Sequence, residues 1–358
     1  MQPRDDAGRD DPDGARGGRG PARRDDPGLL VGDLDEDALI ARFLPLLPTA
    51  PTTLTGPGDD AAVLAAPDRR VVATTDMLVE GRDFRRDWSS GMDVGWKAAA
   101  QNLADVAAMG ACPTALLVAL GLPRDVRVGW VLDLARGLAA ACEGTGAAVV
   151  GGDLSSASEV VLSVTALGDL GGVAPVLRSG ARPGDRVAVA GRIGFSAAGL
   201  ALLEAGLTGA GLDPHAAALV EAHRRPRPAL AAGPAAARAG ASALMDVSDG
   251  LLRDAGRIAR ASGVVLDLHG TTGALALWQD DLLARCGSLS GFCGAEDARR
   301  WVLTGGEDHA LLACFPPEAA LPVGFDVIGE VRAGAEAGVL VDSSPVHDLG
   351  QGWDHFAR

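Results

Sequence analysis

Lysine is almost missing from this 358-residue chain: of 32 basic residues only Lys97 is a lysine. Its context, GWKAAAQ, excludes a phosphate loop of the GxxxxGK[ST] type. Tyrosine is absent and aromatic residues make up 4% of the chain. Cysteine is scarce and odd in number (Cys112, Cys142, Cys286, Cys293, Cys314), with no CxxC pair. That excludes a paired disulfide framework and a zinc ribbon, and suits a reducing cytoplasm. No apolar run reaches the ~20 residues of a spanning helix, so no membrane partner is expected. Positive charge is short too: the net charge is −15 and the pI about 4.8. A phosphate-backbone partner needs a basic face, so nucleic acid is not expected.

What is present suits two domains of ordinary size. Residues 1–28 are rich in Arg, Asp, Gly and Pro, with no apolar segment of the signal-peptide kind. Such a stretch cannot bury enough to offset its ordering entropy and is expected to be a disordered tail. From Leu29 the pattern alternates. Helices are expected over Asp35–Leu46, Met92–Met109, Val126–Cys142, Ser196–Glu204, Leu251–Ala261 and, broken near Pro226 and Pro228, Asp213–Ala239. Strands are expected over Ala61–Ala66 and Arg70–Thr75 across a Pro-Asp turn, and over Thr114–Leu122, Ala147–Val150 and Val160–Leu167. Further strands are expected over Val187–Ala190, Ala243–Met245, Val264–Leu268, His309–Phe315, Phe325–Val331 and Gly338–Val341. The class is α/β or α+β, with domains over 29–172 and 173–358. No repeat of 20–50 residues is visible, which excludes a solenoid or propeller.

The acids cluster where elements end, beside Gly, Ser or Thr: Asp59-Asp60, Thr74-Thr75-Asp76, Asp153, Asp246 to Asp249, and Glu307-Asp308. Each alone has an ordinary reading. Asp249 could cap the following helix, and Asp153 after two glycines could sit in a turn. Asp105 is harder to explain that way. It lies three residues after Asn102 in an Ala-rich helix, among apolar neighbours, where an unpaired carboxylate is costly. Converging carboxylates repel unless a cation lies between them. Hard oxygen donors on loops suit Mg²⁺ together with a phosphate substrate. The six histidines form no HExxH pair, and there is no GxSxG elbow. Phosphate chemistry with metal in place of lysine is the reading that results.

GDDAAVL (58–64), TTDMLVEGRDF (74–84), NLADVAAMGACP (102–113), GGD (151–153), RSGARPGD (178–185), DVSDGL (246–251), GGED (305–308) and GWDHF (352–356) follow in that order. Together they resemble the thiamine-monophosphate kinases of the aminoimidazole ribonucleotide synthetase-like superfamily, from about Gly32 to the C-terminus. The resemblance implies a PurM-like architecture, with an N-terminal dimerising sheet domain and a C-terminal α/β domain completing the nucleotide and substrate sites. It implies a homodimer pairing through N-terminal strands, with sites in clefts near the domain and subunit boundary. It implies ATP as co-substrate, several Mg²⁺ ions, and thiamine monophosphate as acceptor.

Residue by residue, Asp60, Thr74, Thr75, Asp76, Asp105, Asp153 and Asp246 resemble the multi-Mg²⁺ site, and Asp249 a further ligand. Asp76, Asp105 and Asp153 are the implied catalytic carboxylates. Gly152, Asp153, Arg178 and Ser248 resemble nucleotide contacts, and a guanidinium can hold phosphate oxygens bidentately. Glu307 and Trp353 resemble thiamine contacts. Asp83 stands where the family usually has a substrate-contacting histidine. A carboxylate cannot donate as imidazole does and repels phosphate. The implied reaction is direct in-line transfer to an already anionic oxygen. On this reading Lys97 need have no part in the chemistry. Two alternatives stand beside it: another ATP-using member of the superfamily, and a catalytically weak thiamine-phosphate-binding protein.

Overall fold

The computed structural model describes residues 28–58, 61–208, 211–286, 292–346 and 352. The expected tail (except Gly28), Asp60 and Trp353 lie outside the described residues.

The first half of the chain gives α1 (Glu36–Phe43), β1 (Thr53–Thr55), β2 (Val63–Leu64), β3 (Val72–Val79) and α2 (Gly91–Ala108). It continues with β4 (Cys112–Leu122), α3 (Val128–Cys142), β5 (Val149–Ser156) and β6 (Val161–Asp169). Four of these strands form a sheet in the order β3-β6-β4-β5. β6 alternates between buried and half-buried residues along its length, as expected of a sheet with one packed face. Leu162, Val164 and Ala166 face α2 and α3, with Leu103, Val106, Leu116 and Leu134 in the same core. The opposite face carries Met77 and Leu117, which are 57% and 38% exposed.

The second half gives β7 (Arg186–Ala190), α4 (Phe195–Glu204), α5 (Pro214–Arg224), α6 (Ala232–Arg238), β8 (Ala243–Val247) and α7 (Leu251–Ser262). It ends with β9 (Val265–Leu268), α8 (Gly273–Cys286), α9 (Ala295–Thr304), β10 (Ala310–Phe315), β11 (Phe325–Arg332), β12 (Gly338–Val341) and β13 (Ser344–Pro345). Its seven strands form one sheet in the order β13-β12-β9-β11-β7-β10-β8.

Helix α2 joins the two halves. Ser90 caps it and forms a capping box with Asp93. It packs closely on α3 because both helices carry glycine at the crossing. A Cβ at Gly95 would lie 2.1 Å from the Leu134 carbonyl oxygen, and one at Gly137 2.2 Å from that of Met92. At its C-terminal end Ala107 and Ala108 are buried against Ala188, Ala236 and Leu311 of the second half. The helix therefore has protein on two sides, and its polar residues face the seam between the halves.

Three expectations need correcting. Ala61–Ala66 and Arg70–Thr75 are not neighbouring strands. β2 is only Val63–Leu64 and pairs with β1, whereas β3 pairs with β6. The turn between them is tied to the end of β6, since Asp68 N–H donates to Asp169 at 3.1 Å and directs β3 alongside it. The strand expected to stop at Val150 runs on to Ser156, so Gly151-Gly152-Asp153 is strand and not turn. Gly152 permits this: a Cβ there would meet the Val118 carbonyl oxygen at 1.9 Å. Helices α8 and α9 fill a stretch that the apolar pattern left without elements. In α8 the buried residues Leu275, Trp278, Leu282 and Cys286 do have helical spacing, but Leu277 and Leu283 beside them blur the stripe.

Candidate active site

Helix α2 presents Asp93, Lys97, Gln101 and Asp105 at successive four-residue steps, a single stripe on a helix. All but Asp105 are less than 9% exposed. Each has a partner across the seam or on β3. Asp93 pairs with Arg225 at 2.5 Å. Lys97 Nζ lies 3.3 Å from both Glu307 carboxylate oxygens. Gln101 neighbours Asp76 and favours its ionised form. Asp105 accepts from the Thr74 hydroxyl at 2.7 Å.

Strand alternation divides the β3 residues. Thr74 and Asp76 face α2, and Asp76 N–H donates to Asn102 Oδ1 at 3.1 Å. Thr75 faces the other way: its hydroxyl donates to the Val164 carbonyl at 3.0 Å and accepts from Thr165 at 3.1 Å. Asp246 comes from β8 and is bonded to His309 Nδ1 at 3.2 Å. Asp76, Asp105 and Asp246 thus approach from three elements. Burial, and then the charges of Asp246 and Asp76, push the Asp105 carboxyl up to about 7. Asp76 is raised by burial and by the charges of Asp246 and Asp249, against His309 and Gln101. Burial disfavours a charged His309, yet the bond to Asp246 together with the charges of Asp246, Glu307 and Asp105 outweighs it and holds the imidazole above its usual value.

Asp153 does not join this group. In register it stands opposite Ala119, which stands opposite Ser163, so it lies on the open face of the sheet with Thr75 and Met77. There a cavity of about 750 Å³ is lined by Gly151, Gly152 and Asp153 and by Gly58 and Ala61, the described residues nearest Asp60. The described residues among those expected to bind metal therefore fall into two sets, one on each face of the four-stranded sheet. Among the described residues no group of three or more His, Cys, Asp or Glu is arranged to hold a metal ion. The chemistry of the donors still fits Mg²⁺. They are oxygen ligands on converging elements; in Asp105 and Asp76 burial first, and then the neighbouring carboxylate charges, raise the pKa. Mg²⁺ takes one or two carboxylates and completes its shell with water and phosphate.

Asp249 is held by Arg257 at 2.5 Å, with Arg253 Nε 3.7 Å away. Ser248 and Asp249 N–H both donate to the fully buried Asp254, at 3.1 and 3.0 Å. Asp254 therefore shapes the loop that was read from its neighbours. Arg178 is exposed, and its carbonyl accepts from Ser262 at 2.8 Å. Asp83 accepts from Val79 N–H at 2.8 Å, so its carboxylate closes the turn after β3. Gly352 abuts the Asp249 carbonyl, 2.3 Å from where a Cβ would be, which brings the chain just before Trp353 to the Asp246–Asp249 loop.

Glu307 has φ +64, a left-handed conformation uncommon outside glycine. Its N–H donates to Ser248 at 2.8 Å. Burial alone would raise its pKa, but Lys97 and the neighbouring histidines hold it below the usual value. Lys97, expected to have no part in the chemistry, has a side chain 4% exposed, and its ammonium sits on the carboxylate expected to meet the substrate. Sequence reasoning also passed over His223, Gln101 and Asp254. The four-residue spacing of polar residues along an alanine-rich helix was the available signal for two of the missed residues, Lys97 and Gln101.

A family model described as AIR synthase related protein, N-terminal domain, matches residues 58–170, and its C-terminal counterpart matches 182–342. The thiamine-monophosphate kinase of Mycobacterium tuberculosis H37Rv is 46% identical over 325 residues, 91% of this chain and 92% of that protein. That of Corynebacterium glutamicum is 41% identical over 332 residues, 92% of this chain and 96% of that one. The chain belongs to the thiamine-monophosphate kinase family. A solved structure, AaThiL complexed with AMPPCP and TMP, superposes with a TM-score of 0.71 at 35% identity, covering 83% of this chain and 91% of that one. Membership in the thiamine-monophosphate kinase family accounts for the PurM-like layout of two sheets bridged by α2.

Proposed function

We propose that the chain transfers the γ-phosphoryl group of ATP to thiamine monophosphate, giving thiamine diphosphate and ADP. The observation that carries this reading is the set of acids Asp76, Asp105 and Asp246 facing one another at the seam, with Glu307 held against Lys97 further along the α2 stripe. A terminal phosphate oxygen of thiamine monophosphate attacks the γ-phosphorus, and the bond to the bridging β,γ oxygen breaks. The nucleophile is already anionic, so no strong base is needed, and positioning with charge neutralisation carries the rate. Asp76, Asp105, Asp246 and Thr74 would hold Mg²⁺ on the helix side of the sheet, and Asp153 and Thr75 on the open side, with Asp60 a further ligand. Bound Mg²⁺ would supply neutralisation of phosphate oxygens. Gly152, Arg178 and Ser248 would meet the nucleotide, and Glu307 and Trp353 the thiamine. Asp249 would serve as a ligand only on release from Arg257. Asp83 is turned to its own turn, so the histidine contact usual in the family has no counterpart in its carboxylate.

The two family-model matches and the two sheets support a division of the chain near Gly172. The open face of the first sheet supports a homodimer covering it. No helix among the described residues is long and apolar enough to cross a membrane, and the five cysteines are free, which fits a reducing cytoplasm.

The test is product formation from ATP, Mg²⁺ and thiamine monophosphate. Thiamine diphosphate is expected, with at least a hundredfold loss in a folded Asp76→Ala or Asp105→Asn variant, in line with loss of an electrostatic group at the reacting centre. Binding of thiamine monophosphate without product would establish a binding protein, and normal turnover in Asp76→Ala would remove the metal assignment.

A further inference from the structure

Lys97 is the chain's one lysine, and lysine is almost never fully buried unless paired. Its partners come entirely from the second half of the molecule. Nζ lies 3.3 Å from each Glu307 oxygen and 3.5 Å from His223 Nε2. An ammonium only donates, so His223 Nε2 accepts and its Nδ1 carries the proton. Nδ1 lies 3.1 Å from Ser196 Oγ and 3.3 Å from Glu307 Oε2. Burial and the Lys97 charge push the His223 pKa down to about 3, so the imidazole is neutral and adds no competing charge.

The backbone around Glu307 is fixed from three directions. Glu307 N–H is bonded to Ser248 O at 2.8 Å and His309 N–H to Val247 O at 3.1 Å. The Asp308 carboxylate accepts from Gly194 N–H at 2.7 Å and Ser196 N–H at 2.8 Å, at the start of α4. Gly306 lies so close to Ser248 that a Cβ would be 2.3 Å from its carbonyl oxygen. Glu307 and His309 both hold positive φ within this frame, at 64° and 53°. Residues in that region persist only where their surroundings over-determine them. The frame fixes the backbone, but the long Glu307 side chain still has its own rotamers, and it is 36% exposed. Lys97, anchored on α2 in the other half, meets both Glu307 oxygens and selects among them, with His223 Nδ1 beside one of them.

We propose that Lys97 is a positioning residue that fixes the Glu307 carboxylate, ionised and with an open side, for the heterocycle of the phosphorylated acceptor. This rests on the reading of Glu307 as a substrate contact. One face of the carboxylate is taken by the ammonium and the exposed remainder is left to accept from the ligand. Because the two residues lie on opposite halves of the chain, the acceptor site forms only when α2 and the loop after α9 are in register. The residues proposed for the nucleotide, Gly152, Arg178 and Ser248, are not among the partners of either side chain.

Steady-state kinetics on Lys97→Met, Glu307→Gln and the double variant test this, together with the rise in melting temperature produced by thiamine monophosphate without ATP. Both single variants are expected to raise KM for thiamine monophosphate at least tenfold and to reduce the melting shift, with KM for ATP unchanged. The double variant is expected to be no worse than the poorer single one, as for residues acting as a unit. Lys97→Arg keeps the charge in a bulkier group and is expected to lie between wild type and Lys97→Met. Should Lys97→Met fail to fold, Lys97→Gln gives the same comparison. A normal KM for thiamine monophosphate in a folded Lys97→Met variant, with a raised one in Glu307→Gln, overturns the positioning role and leaves Glu307 as a contact. A normal KM in Glu307→Gln overturns the contact itself, and the positioning role with it. Equal rises in both KM values would make Lys97 a purely structural residue.

Discussion

His223 and Asp105 show how the seam treats titratable groups. Both are desolvated, and both shift toward the neutral form, His223 downward to about 3 and Asp105 upward to about 7. For His223 the consequence is a pH-dependent stability. The unfolded histidine protonates below about 6.5, whereas the folded one stays neutral until far lower. Its stabilising contribution is therefore complete above 6.5 and is lost as pH falls from there toward 3. The slope is about 1.4 kcal/mol per pH unit while the two states differ by one proton. Over pH 6.5 to 4.5 that is on the order of 2 to 3 kcal/mol. Urea denaturation of wild type and His223→Gln across this range is expected to show a steeper loss in wild type. Parallel curves would mean that the imidazole is hydrated in solution. Asp105 works in the opposite sense, losing stability as pH rises toward 7, so the variant must be compared with wild type at each pH.

At the scale of elements, α2 brings much of the site together. Its identity as a long helix was legible from the run of alanine and apolar residues over Met92–Met109, stopped by Gly110, while the Ser90 cap is seen only in the structure. Asp105 was legible as well, because a carboxylate among Leu103, Val106 and Ala107 needs a reason. The pairing of Lys97 with Glu307 was not. It joins residues 210 apart in sequence, and no local pattern reports which loop a helix will meet. Nor could spacing show that Thr75 and Asp153 face away from Asp76, since the side of a strand is fixed by what packs on it. The strand was expected to end at Val150 because Gly-Gly usually breaks a strand, whereas here Gly152 admits a neighbouring carbonyl and the strand runs on. The same logic tests the α2–α3 crossing. A methyl at Gly95 would sit 2.1 Å from the Leu134 carbonyl oxygen, so the helices must part. Gly95→Ala gains helix propensity, yet it is expected to lose at least 1–3 kcal/mol in denaturant unfolding from overpacking. Since α2 carries Asp105, turnover should fall with it. A stabilised Gly95→Ala would show that the crossing is looser than drawn.

For the whole molecule, the first sheet has one face covered by helices and one uncovered. On the uncovered face Met77 and Leu117 are exposed beside Thr75 and Thr165, and the cavity holding Asp153 opens at the same face. A second copy laid across it would bury these side chains and roof the cavity, placing one set of the expected metal residues at a subunit boundary. Charge opposes that step. A chain of net charge −15 repels its copy, and the repulsion weakens as salt shortens the screening length to about 8 Å at 0.15 M. Association is therefore expected to strengthen from low to moderate salt, the reverse of assembly held by opposite charges. Met77→Glu places a further charge at the centre of the face and is expected to give a monomer by sedimentation. Its own melting temperature should stay within a few degrees of the wild-type value extrapolated to low protein concentration, because Met77 is already exposed in the single chain. A Met77→Glu protein that remains a dimer would move the interface to another surface. A monomer that keeps full turnover would show that the cavity on the open face works without its roof.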